Sequence, residues 1–550
     1  MLLVAALAFV VGMIVGSLHR PAGQDVGDDY AQAFEKRDYG AMYDLLTSDA
    51  KRRYTPAQFR AAHVDAAATA TTRSIDFGEA ESPEDDVVAI PAEISTRVFG
   101  PVKTTLDLPM AEEDGEARVA WGPHLAFPGV REGEQLDRTI ELPPRATILA
   151  ANGAELAAGP DRTSEDPATS ASIAGELGPI PEERATELRA EGVPEDAQVG
   201  ISGLERALDD KLRGHPGGRL KAGGRVLAGS RPRKAKPVHS TIVPGVQLAA
   251  QTALAGRLGG VIAMRVGGSR DGDVVAAAGI GLSGLQPPGS TFKIITLSGA
   301  VEAKIAKPSD QFAVATAATL EGVELQNANG ESCGGSLIDS FAHSCNSVFA
   351  PLGAKLGARR LVQTAERFGF NETPAIDGAA TSTIPPAAQI GDDLAVGSSA
   401  IGQGRVTAST LQMALAAATV ADRGRRPRPT LDRADRPKST RAVSRRTAKI
   451  VDRAMRAVVA YGTGTAAAIS GVTVAGKTGT AELRQTQGDA PDQAPIEGDT
   501  TDTTAWFAAY APAKKPRIAV AVMFVEAGAG GAVAAPSAAV VLREALRRRG

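Results

Sequence analysis

Three short motifs stand in a fixed order along this chain, and no other feature constrains its fold as strongly. They are S-T-F-K at residues 290–293, S-C-N at residues 344–346 and K-T-G-T at residues 477–480. Each motif alone occurs by chance in many chains. The ordered set is far more specific, because each motif also stands in the local context that its chemistry requires. A fold that uses all three must bring together segments that lie far apart in the chain.

The first motif pairs a serine with a lysine one helical turn away. Ser290 follows a Pro-Pro-Gly run at residues 287–289 and precedes Ile294 and Ile295, which predicts a helix that begins at or near Ser290. Lys293 then projects from the same helix face. A serine hydroxyl is a weak nucleophile until a base removes its proton, and a lysine can do this when burial and nearby positive charge lower its pKa. The alternative is a serine that caps a helix beside a solvated lysine.

The second motif lies between apolar stretches that contain Phe341 and Val348. We therefore expect Ser344 and Asn346 to lie in a short polar turn between two buried helices, where they can present a hydroxyl and an amide to a cleft. The alternative is a structural turn that these two side chains merely cap.

The third motif follows an alternating run at residues 472–475, which predicts a strand. Gly479 leaves room for a substrate backbone beside the strand edge. Lys477 supplies positive potential to the cleft, and the hydroxyls of Thr478 and Thr480 can bind a carboxylate. The alternative is an ordinary turn at the end of a strand.

These motifs resemble those of the penicillin-binding proteins and the related serine β-lactamases. I-G-Q-G at residues 401–404, S-T-L-Q-M-A at residues 409–414 and A-W-F-A-A-Y-A-P at residues 505–512 extend the resemblance. One departure is Thr410, which stands where this family usually has proline. The resemblance covers about residues 240–550.

The resemblance also implies a role for each motif residue. Ser290 acts as the nucleophile and Lys293 as its general base, while Ser344 relays a proton to the leaving amine. Asn346 hydrogen-bonds the peptide backbone of the substrate. The backbone N–H groups of Ser290 and Thr480 form the oxyanion hole, in which one missing donor typically costs about 2.7–4 kcal/mol of transition-state stabilisation.

The fold class implied for the whole chain is multidomain α+β. Residues 245–550 are predicted to form a β-lactamase/transpeptidase-like domain, in which one antiparallel sheet of five strands carries a helical insertion. Its predicted strands cover residues 261–266, 274–278, 472–483, 504–511 and 518–525, and its last helix covers residues 536–548. The polar segment 485–501 is predicted to be a loop beside the cleft.

Two domains are predicted before residue 245. Helices at residues 28–46 and 56–66, followed by short alternating strands, give residues 25–130 an α+β pattern. This pattern resembles the NTF2-like domain of methicillin-resistance-type penicillin-binding proteins. It shows no catalytic constellation of its own, so we expect a spacer or partner-docking role. Residues 131–244 resemble the pedestal, or dimerisation, domain of class B penicillin-binding proteins.

The start of the chain predicts attachment to a membrane. Residues 1–18 are almost wholly apolar and carry no charge, and His19 and Arg20 close the run. Because a basic leading region and a convincing cleavage site are missing, we interpret residues 1–20 as an uncleaved membrane anchor. The alternative is a cleaved signal peptide. Both interpretations place the remaining chain outside the cytoplasm, at the cell membrane.

The net charge and the cysteine content limit which ligands and partners the chain is expected to bind. A net charge of −3 gives no electrostatic steering toward nucleic acid. Cys333 and Cys345 are the two cysteines, too few for a cysteine metal site without matching histidines. Outside the cytoplasm they can form a disulfide, and the alternative is two buried, reduced thiols. No metal ion or organic cofactor is implied.

The resemblance therefore predicts a D,D-transpeptidase that cross-links peptidoglycan stem peptides ending in D-Ala-D-Ala and that β-lactams acylate. Other cell-wall synthesis proteins are expected partners. A D,D-carboxypeptidase and a β-lactam sensor remain alternatives. A class A β-lactamase is disfavoured because the chain lacks its E-x-x-L-N carboxylate, and a Ser-His-Asp hydrolase because G-x-S-x-G is missing.

Overall fold

The computed structural model describes residues 22–482 and 503–547. The predicted anchor at residues 1–20 and the predicted loop at residues 485–501 therefore lie outside the described residues. Within the described part of the chain, no helix is both long and apolar enough to cross a membrane.

The chain divides into two compact units. The first comprises the residues up to Ala146 together with Pro179–Val199 and Arg213–Lys236, and the second comprises the rest. The segment predicted as a middle domain, residues 131–244, thus contributes to both units.

The first unit begins with helices that pack on an antiparallel sheet. The helices are Ala22–Glu35, Tyr39–Asp44, Ser48–Arg53 and Pro56–Thr69. The strands, in their spatial order, are Thr72–Phe77, Val87–Thr96, Pro101–Glu113 and Glu116–Val119. Helices followed by a meander confirm the predicted NTF2-like architecture. The core lies between the two layers, where Tyr30, Phe59 and Trp121 are buried.

The single helix predicted over residues 28–46 is wrong. The chain breaks between the helices Ala22–Glu35 and Tyr39–Asp44, where Arg37 adopts a φ of 57°. The Asp38 carboxylate accepts a hydrogen bond from the Ala41 backbone N–H and so begins a new helix. The apolar spacing alone did not reveal this break, because both helices bury residues against the same core.

The first unit also contains the helix Glu182–Ala190 and three more strands. The strands form an antiparallel sheet in which Gly217–Ala222 lies between Leu136–Glu141 and Arg225–Ser230. Leu220 of the central strand packs in one apolar cluster with Val98 and Phe127. These strands therefore share a core with the NTF2-like residues.

The second unit is built on the predicted five-stranded antiparallel sheet. Its strands, in spatial order, are Val274–Gly279, Gly259–Arg265, Ile518–Phe524, Thr503–Ala511 and Ala475–Glu482. The strand Ala475–Glu482, called the KTG strand below, lies at one edge of the sheet. Among the described strands it pairs only with Thr503–Ala511, with Thr478 opposite Phe507.

Helices cover both faces of this sheet. Alternate residues such as Val261, Phe507 and Val522 pack in one cluster with residues of the helices Pro244–Leu254 and Ala534–Arg547. The helix Thr410–Ala421 is buried along its whole length and packs against the central strands from the other side. This arrangement confirms the predicted fold class.

The helical insertion lies between the second and third of these strands along the chain. Its helices are Lys293–Glu302, Leu337–Ala342, Asn346–Leu356, Ala358–Arg367, Ala387–Ile390, Asp393–Ala400, Thr410–Ala421 and Arg445–Ala460. Short strand pairs, such as Ala317–Leu320 with Val323–Gln326, connect some of them. The second unit also contains a small sheet of Ile148–Leu149, Glu155–Ala157 and Val238–His239 and the helices Pro167–Ile173, Gly203–Ala207 and Asp209–Leu212.

Cys333 and Cys345 form a disulfide, with 5.7 Å between their Cα atoms. The sequence left open a disulfide or two reduced thiols, and the structure contains the disulfide. The bond joins the strand Cys333–Ser336 to the residue that precedes the helix Asn346–Leu356. It therefore closes a short loop that contains Ser344.

We expect the Cys333→Ser/Cys345→Ser double variant to lose roughly 2–3 kcal/mol of unfolding free energy, because a short closed loop restricts the unfolded chain by about that amount. Urea unfolding of both proteins measures the difference, with the reduced wild type as the control. Two titratable thiols in the denatured, non-reduced wild type would contradict the bond.

Candidate active site

Ser290 lies in a tight helical turn directly before a buried helix. The 3₁₀ turn Gly289–Phe292, called the nucleophile turn below, runs into the helix Lys293–Glu302. Lys293 has no exposed surface, whereas Ser290 is partly exposed. The predicted helix start is therefore confirmed, with Ser290 in its 3₁₀ turn.

Two glycines hold the nucleophile turn in place. Gly289 has a φ of 50°, and its N–H donates to the Gly402 carbonyl at 2.9 Å. A Cβ on Gly289 would lie 2.7 Å from the Thr480 carbonyl oxygen, and one on Gly402 would collide with the Gly289 carbonyl. The backbones of the I-G-Q-G segment and of the KTG strand thus pack directly against the backbone of the nucleophile turn.

Lys293 contacts both polar residues of the S-C-N turn. Its Nζ donates to the Ser344 carbonyl at 2.6 Å and to Asn346 Oδ1 at 2.7 Å, and lies 3.4 Å from Ser344 Oγ. Burial and the nearby charge of Lys477 hold the pKa of Lys293 well below its ordinary value. Burial is the larger cause. A neutral amine in this position can accept a proton.

Lys477 approaches the same serine from the KTG strand. Its Nζ lies 2.8 Å from Ser344 Oγ and 3.0 Å from the Thr478 carbonyl. Burial lowers the pKa of Lys477 to about 7. Ser344 Oγ therefore connects two amines that titrate far below ordinary lysines.

Ser344 adopts a backbone conformation that is uncommon for a residue with a side chain. Its φ is 61°, in a region that costs roughly 1–2 kcal/mol for residues other than glycine. Its carbonyl and its hydroxyl are each held by a lysine. These contacts and the adjacent disulfide maintain a conformation that the turn alone disfavours.

Asn346 uses both ends of its amide within the protein. Oδ1 accepts from Lys293, and Nδ2 donates to the Gln326 carbonyl at 2.7 Å. Nδ2 has a second N–H, so the predicted hydrogen bond to a substrate backbone carbonyl can form while the contact with Gln326 is kept.

The KTG strand places its remaining polar groups against neighbouring loops. Thr478 Oγ1 lies 2.6 Å from Thr463 Oγ1, and Thr480 Oγ1 accepts from the Gly530 N–H at 3.3 Å. A Cβ on Gly479 would lie 2.8 Å from the Pro288 carbonyl oxygen. The space left by the missing side chain of Gly479, which we predicted for a substrate backbone, is therefore taken up by the protein itself, and the glycine lets the KTG strand lie close to the entry of the nucleophile turn.

All the motif residues predicted from the sequence lie in this one region, and it is supported by several residues to which the sequence analysis assigned no role. Trp506 Nε1 donates to the Pro287 carbonyl at 2.9 Å and so anchors the entry to the nucleophile turn. Thr463 and Gly530 hold the KTG strand as described above. Thr463 belongs to a G-T-G-T run before the third motif, whereas Gly530 lies in a Gly/Ala-rich segment without a distinctive pattern. Thr410, the departure from proline, leaves its buried hydroxyl without a partner among the described residues.

The described residues contain no group of three or more His, Cys, Asp or Glu side chains that could hold a metal ion. The two buried amines and the hydroxyl of Ser344 can transfer protons in the neighbourhood of Ser290.

Three family descriptions match successive parts of the chain. The penicillin binding protein transpeptidase domain matches residues 269–543, which is half of the chain. The penicillin-binding protein dimerisation domain matches residues 142–237, and the NTF2-like N-terminal transpeptidase domain matches residues 22–134.

Individual proteins show the same similarity. The peptidoglycan D,D-transpeptidase PbpA of Mycolicibacterium smegmatis is 37% identical over 291 residues, which cover 48% of this chain and 56% of that protein. This chain thus spans little more than half of such curated relatives. The crystal structure of PBPA from Mycobacterium tuberculosis superposes with a TM-score of 0.57 at 26% identity, covering 73% of this chain and 99% of that one. Its penicillin G acyl-enzyme complex gives a TM-score of 0.55 at 26% identity, with the same coverage.

We expect the rate of acylation by labelled penicillin to follow a bell-shaped pH profile. The rate rises with pH as Lys293 loses its proton, and it falls as Lys477 becomes neutral near its pKa of about 7. In Lys477→Gln, the loss of a positive charge raises the pKa of Lys293. The acid limb should therefore move to higher pH and the alkaline limb should disappear. An acid limb that stays in place would contradict the coupling between the two lysines.

Proposed function

Since the chain belongs to the penicillin-binding protein transpeptidase family, we propose that it is a class B D,D-transpeptidase that cross-links peptidoglycan through an acyl-enzyme on Ser290. The observation that carries the proposal is the buried Lys293. It lies one turn from Ser290 and contacts both Ser344 and Asn346. The curated relative named a peptidoglycan D,D-transpeptidase and the solved penicillin G acyl-enzyme support it.

Acylation begins with proton transfer from Ser290 to Lys293. The lowered pKa of Lys293 keeps its Nζ free to take the hydroxyl proton as Ser290 Oγ bonds to the penultimate D-Ala carbonyl carbon. The tetrahedral oxyanion is held by the N–H groups of Ser290 and Thr480. Preorganised donors of this kind stabilise charge as it develops.

The leaving group takes its proton through Ser344. Ser344 Oγ lies 2.8 Å from Lys477 Nζ and 3.4 Å from Lys293 Nζ, so it can give a proton to the departing D-Ala amine and regain one from Lys293, which holds the proton taken from Ser290. The C–N bond breaks and the ester on Ser290 remains. An amine of a neighbouring stem peptide then attacks the ester and gives a proton to Lys293, and Ser290 regains its own proton.

The terminal carboxylate of the substrate is bound beside the KTG strand. Lys477 supplies positive charge when protonated, and the hydroxyls of Thr478 and Thr480 lie on the same strand.

β-Lactams imitate D-Ala-D-Ala and acylate Ser290 by the same steps. Residues 1–20 anchor the chain in the cell membrane, the residues after them lie outside the cytoplasm, and the NTF2-like residues act as a spacer or docking module for other cell-wall synthesis proteins.

We expect a penicillin adduct on Ser290 that lasts far longer than a β-lactamase turnover. Mass spectrometry of the digested protein locates the adduct, and a time course measures its loss. Ser290→Ala should form none. An adduct on another residue, or release within seconds, would overturn the proposal.

We expect Lys293→Ala to slow acylation by about 10²–10⁴-fold, because it removes the general base. Lys307→Ala is the matched control, since Lys307 is exposed and lies outside the site. Circular dichroism of all three proteins checks that they are folded. A near-normal acylation rate in Lys293→Ala would exclude the assigned role.

The acceptor distinguishes a transpeptidase from a D,D-carboxypeptidase. Incubation of the full chain with a D-Ala-D-Ala stem peptide and an excess of acceptor amine should give cross-linked peptide as the main product. Release of D-Ala with hydrolysed peptide as the main product would favour the carboxypeptidase. An acyl-enzyme that forms with penicillin and never turns over a stem peptide would favour the sensor.

A further inference from the structure

The helical insertion contains a two-stranded hairpin whose outer edges are unpaired. Its strands are Ala317–Leu320 and Val323–Gln326, and the two-residue turn of Glu321 and Gly322 joins them. Both turn residues have a positive φ, of 48° and 82°, which is typical of the tight turns in β-hairpins. No third strand of the described chain joins this hairpin. The strand Val323–Gln326 therefore has a free edge on the side away from its partner.

The alternation of hydrogen bonds in the hairpin shows which backbone groups face this free edge. Opposite residues of an antiparallel pair alternate between hydrogen-bonded and non-hydrogen-bonded pairs. The two residues that flank the turn are a bonded pair. Four residues after the second of these, the Asn327 N–H donates to the Thr316 carbonyl at 2.8 Å, which agrees with the same alternation. Glu324 and Gln326 lie between the bonded pairs, so their N–H and C=O groups point to the free edge.

The free edge meets the active site at Asn346. The outward carbonyl of Gln326 accepts from Asn346 Nδ2 at 2.7 Å. Asn346 Oδ1 in turn accepts from Lys293 Nζ at 2.7 Å, so this carbonyl is two hydrogen bonds away from the lysine. Asn327 attaches the end of the strand to the next helix, because its Oδ1 accepts from the Ser347 N–H at 2.8 Å. The edge is therefore held beside the S-C-N turn.

Glu324 offers two backbone groups for a further strand. Its outward N–H and C=O have no hydrogen-bond partner outside the hairpin among the described residues, and the residue is exposed. Such groups on a strand edge are a template for an extended peptide. Residues 317–326 carry two charged side chains, Glu321 and Glu324, and both are exposed carboxylates. The charge of the hairpin thus suits a peptide that carries an amine.

We propose that the acceptor stem peptide of the cross-linking reaction binds as an added strand on this edge and exchanges backbone hydrogen bonds with Glu324, an inference that rests on the proposed function. The donor peptide lies beside the KTG strand, whereas this edge lies beside the S-C-N turn, so the two peptides use different walls of the site. From Glu324 to Gln326 the strand advances about 7 Å. An acceptor paired with Glu324 therefore extends toward Asn346 and Lys293.

This placement brings the acceptor amine to the side of the ester where Lys293 lies. The amine nitrogen bonds to the carbonyl carbon of the ester, and the bond from that carbon to Ser290 Oγ breaks. The amine gives its proton to Lys293, and Ser290 regains a proton. The exposed carboxylates of the hairpin attract the ammonium form of the acceptor before it reacts.

Proline variants of the full chain test the edge. Glu324→Pro removes the outward N–H and puts a ring carbon where the carbonyl of the acceptor would lie, while an edge strand tolerates proline. Thr319→Pro is the matched control, because Thr319 lies opposite Glu324 and directs its N–H to the other edge of the hairpin. The donor is a D-Ala-D-Ala stem peptide with an acetylated amine, and the acceptor is a stem peptide with a free lysine amine and a single terminal D-Ala. We expect Glu324→Pro to raise the acceptor concentration for half-maximal cross-linking at least tenfold and Thr319→Pro to leave it unchanged.

Acylation by labelled penicillin, measured on the same proteins, separates this proposal from the proposed function. A wild-type chain that is not acylated and forms no cross-link would overturn both. A wild-type chain that is acylated and cross-links, together with an unchanged acceptor dependence in folded Glu324→Pro, would overturn the acceptor site alone.

A modified acceptor tests the same pairing without altering the protein, and it decides the question if Glu324→Pro fails to fold. Successive N–H groups of an extended peptide face opposite sides, so only alternate ones can pair with a given neighbour. We therefore methylate either the backbone nitrogen of the acceptor lysine or that of the D-Ala after it. One methylation should raise the acceptor concentration for half-maximal cross-linking at least tenfold, and the other should change it less than twofold. Equal effects of the two methylations would show that the acceptor does not bind as a strand and would overturn the proposal.

Discussion

The active site depends on two lysine side chains that the fold buries around one serine. Lys293 and Lys477 are both fully buried, and both contact Ser344. Two protonated amines at these positions repel each other and lose their hydration, so the folded protein favours deprotonation. The pKa values needed for proton transfer at neutral pH therefore follow from packing and do not need a carboxylate or a metal ion.

The surrounding structure fixes the positions of these two lysines. The helix Lys293–Glu302 is buried along most of its length, which fixes the first lysine. The second lysine is on an edge strand, whose position is set by its pairing with Thr503–Ala511 and by glycine contacts with the nucleophile turn. Ser344 is held in its strained backbone conformation by the disulfide at Cys345 and by the contacts with the two lysines. Each of these constraints comes from a different segment of the insertion or the sheet.

Much of the fold of residues 245–550 could be predicted because the sequence patterns that indicate it are local. Four of the five strands have apolar runs of the right length, and the fifth is marked by the K-T-G-T motif that it contains. The support from Gly530 and Trp506 could not be predicted, because it depends on backbone distances between segments that are remote in sequence. In the first unit, apolar periodicity continues through Asp38 and hides the capping signal that divides the predicted helix in two. The strand Gly217–Ala222 shares a core with residues near Val98, which no local pattern indicates.

The side-chain amide of Asn346 has a consequence for how the site receives a ligand. One N–H of Nδ2 donates to the Gln326 carbonyl, and Oδ1 accepts from Lys293, so the plane of the amide is fixed by the protein itself. The second N–H of Nδ2 then has a set direction before any ligand arrives. A carbonyl of an incoming peptide can be bound there without breaking an internal hydrogen bond, and a smaller ligand without such a carbonyl leaves this N–H to water.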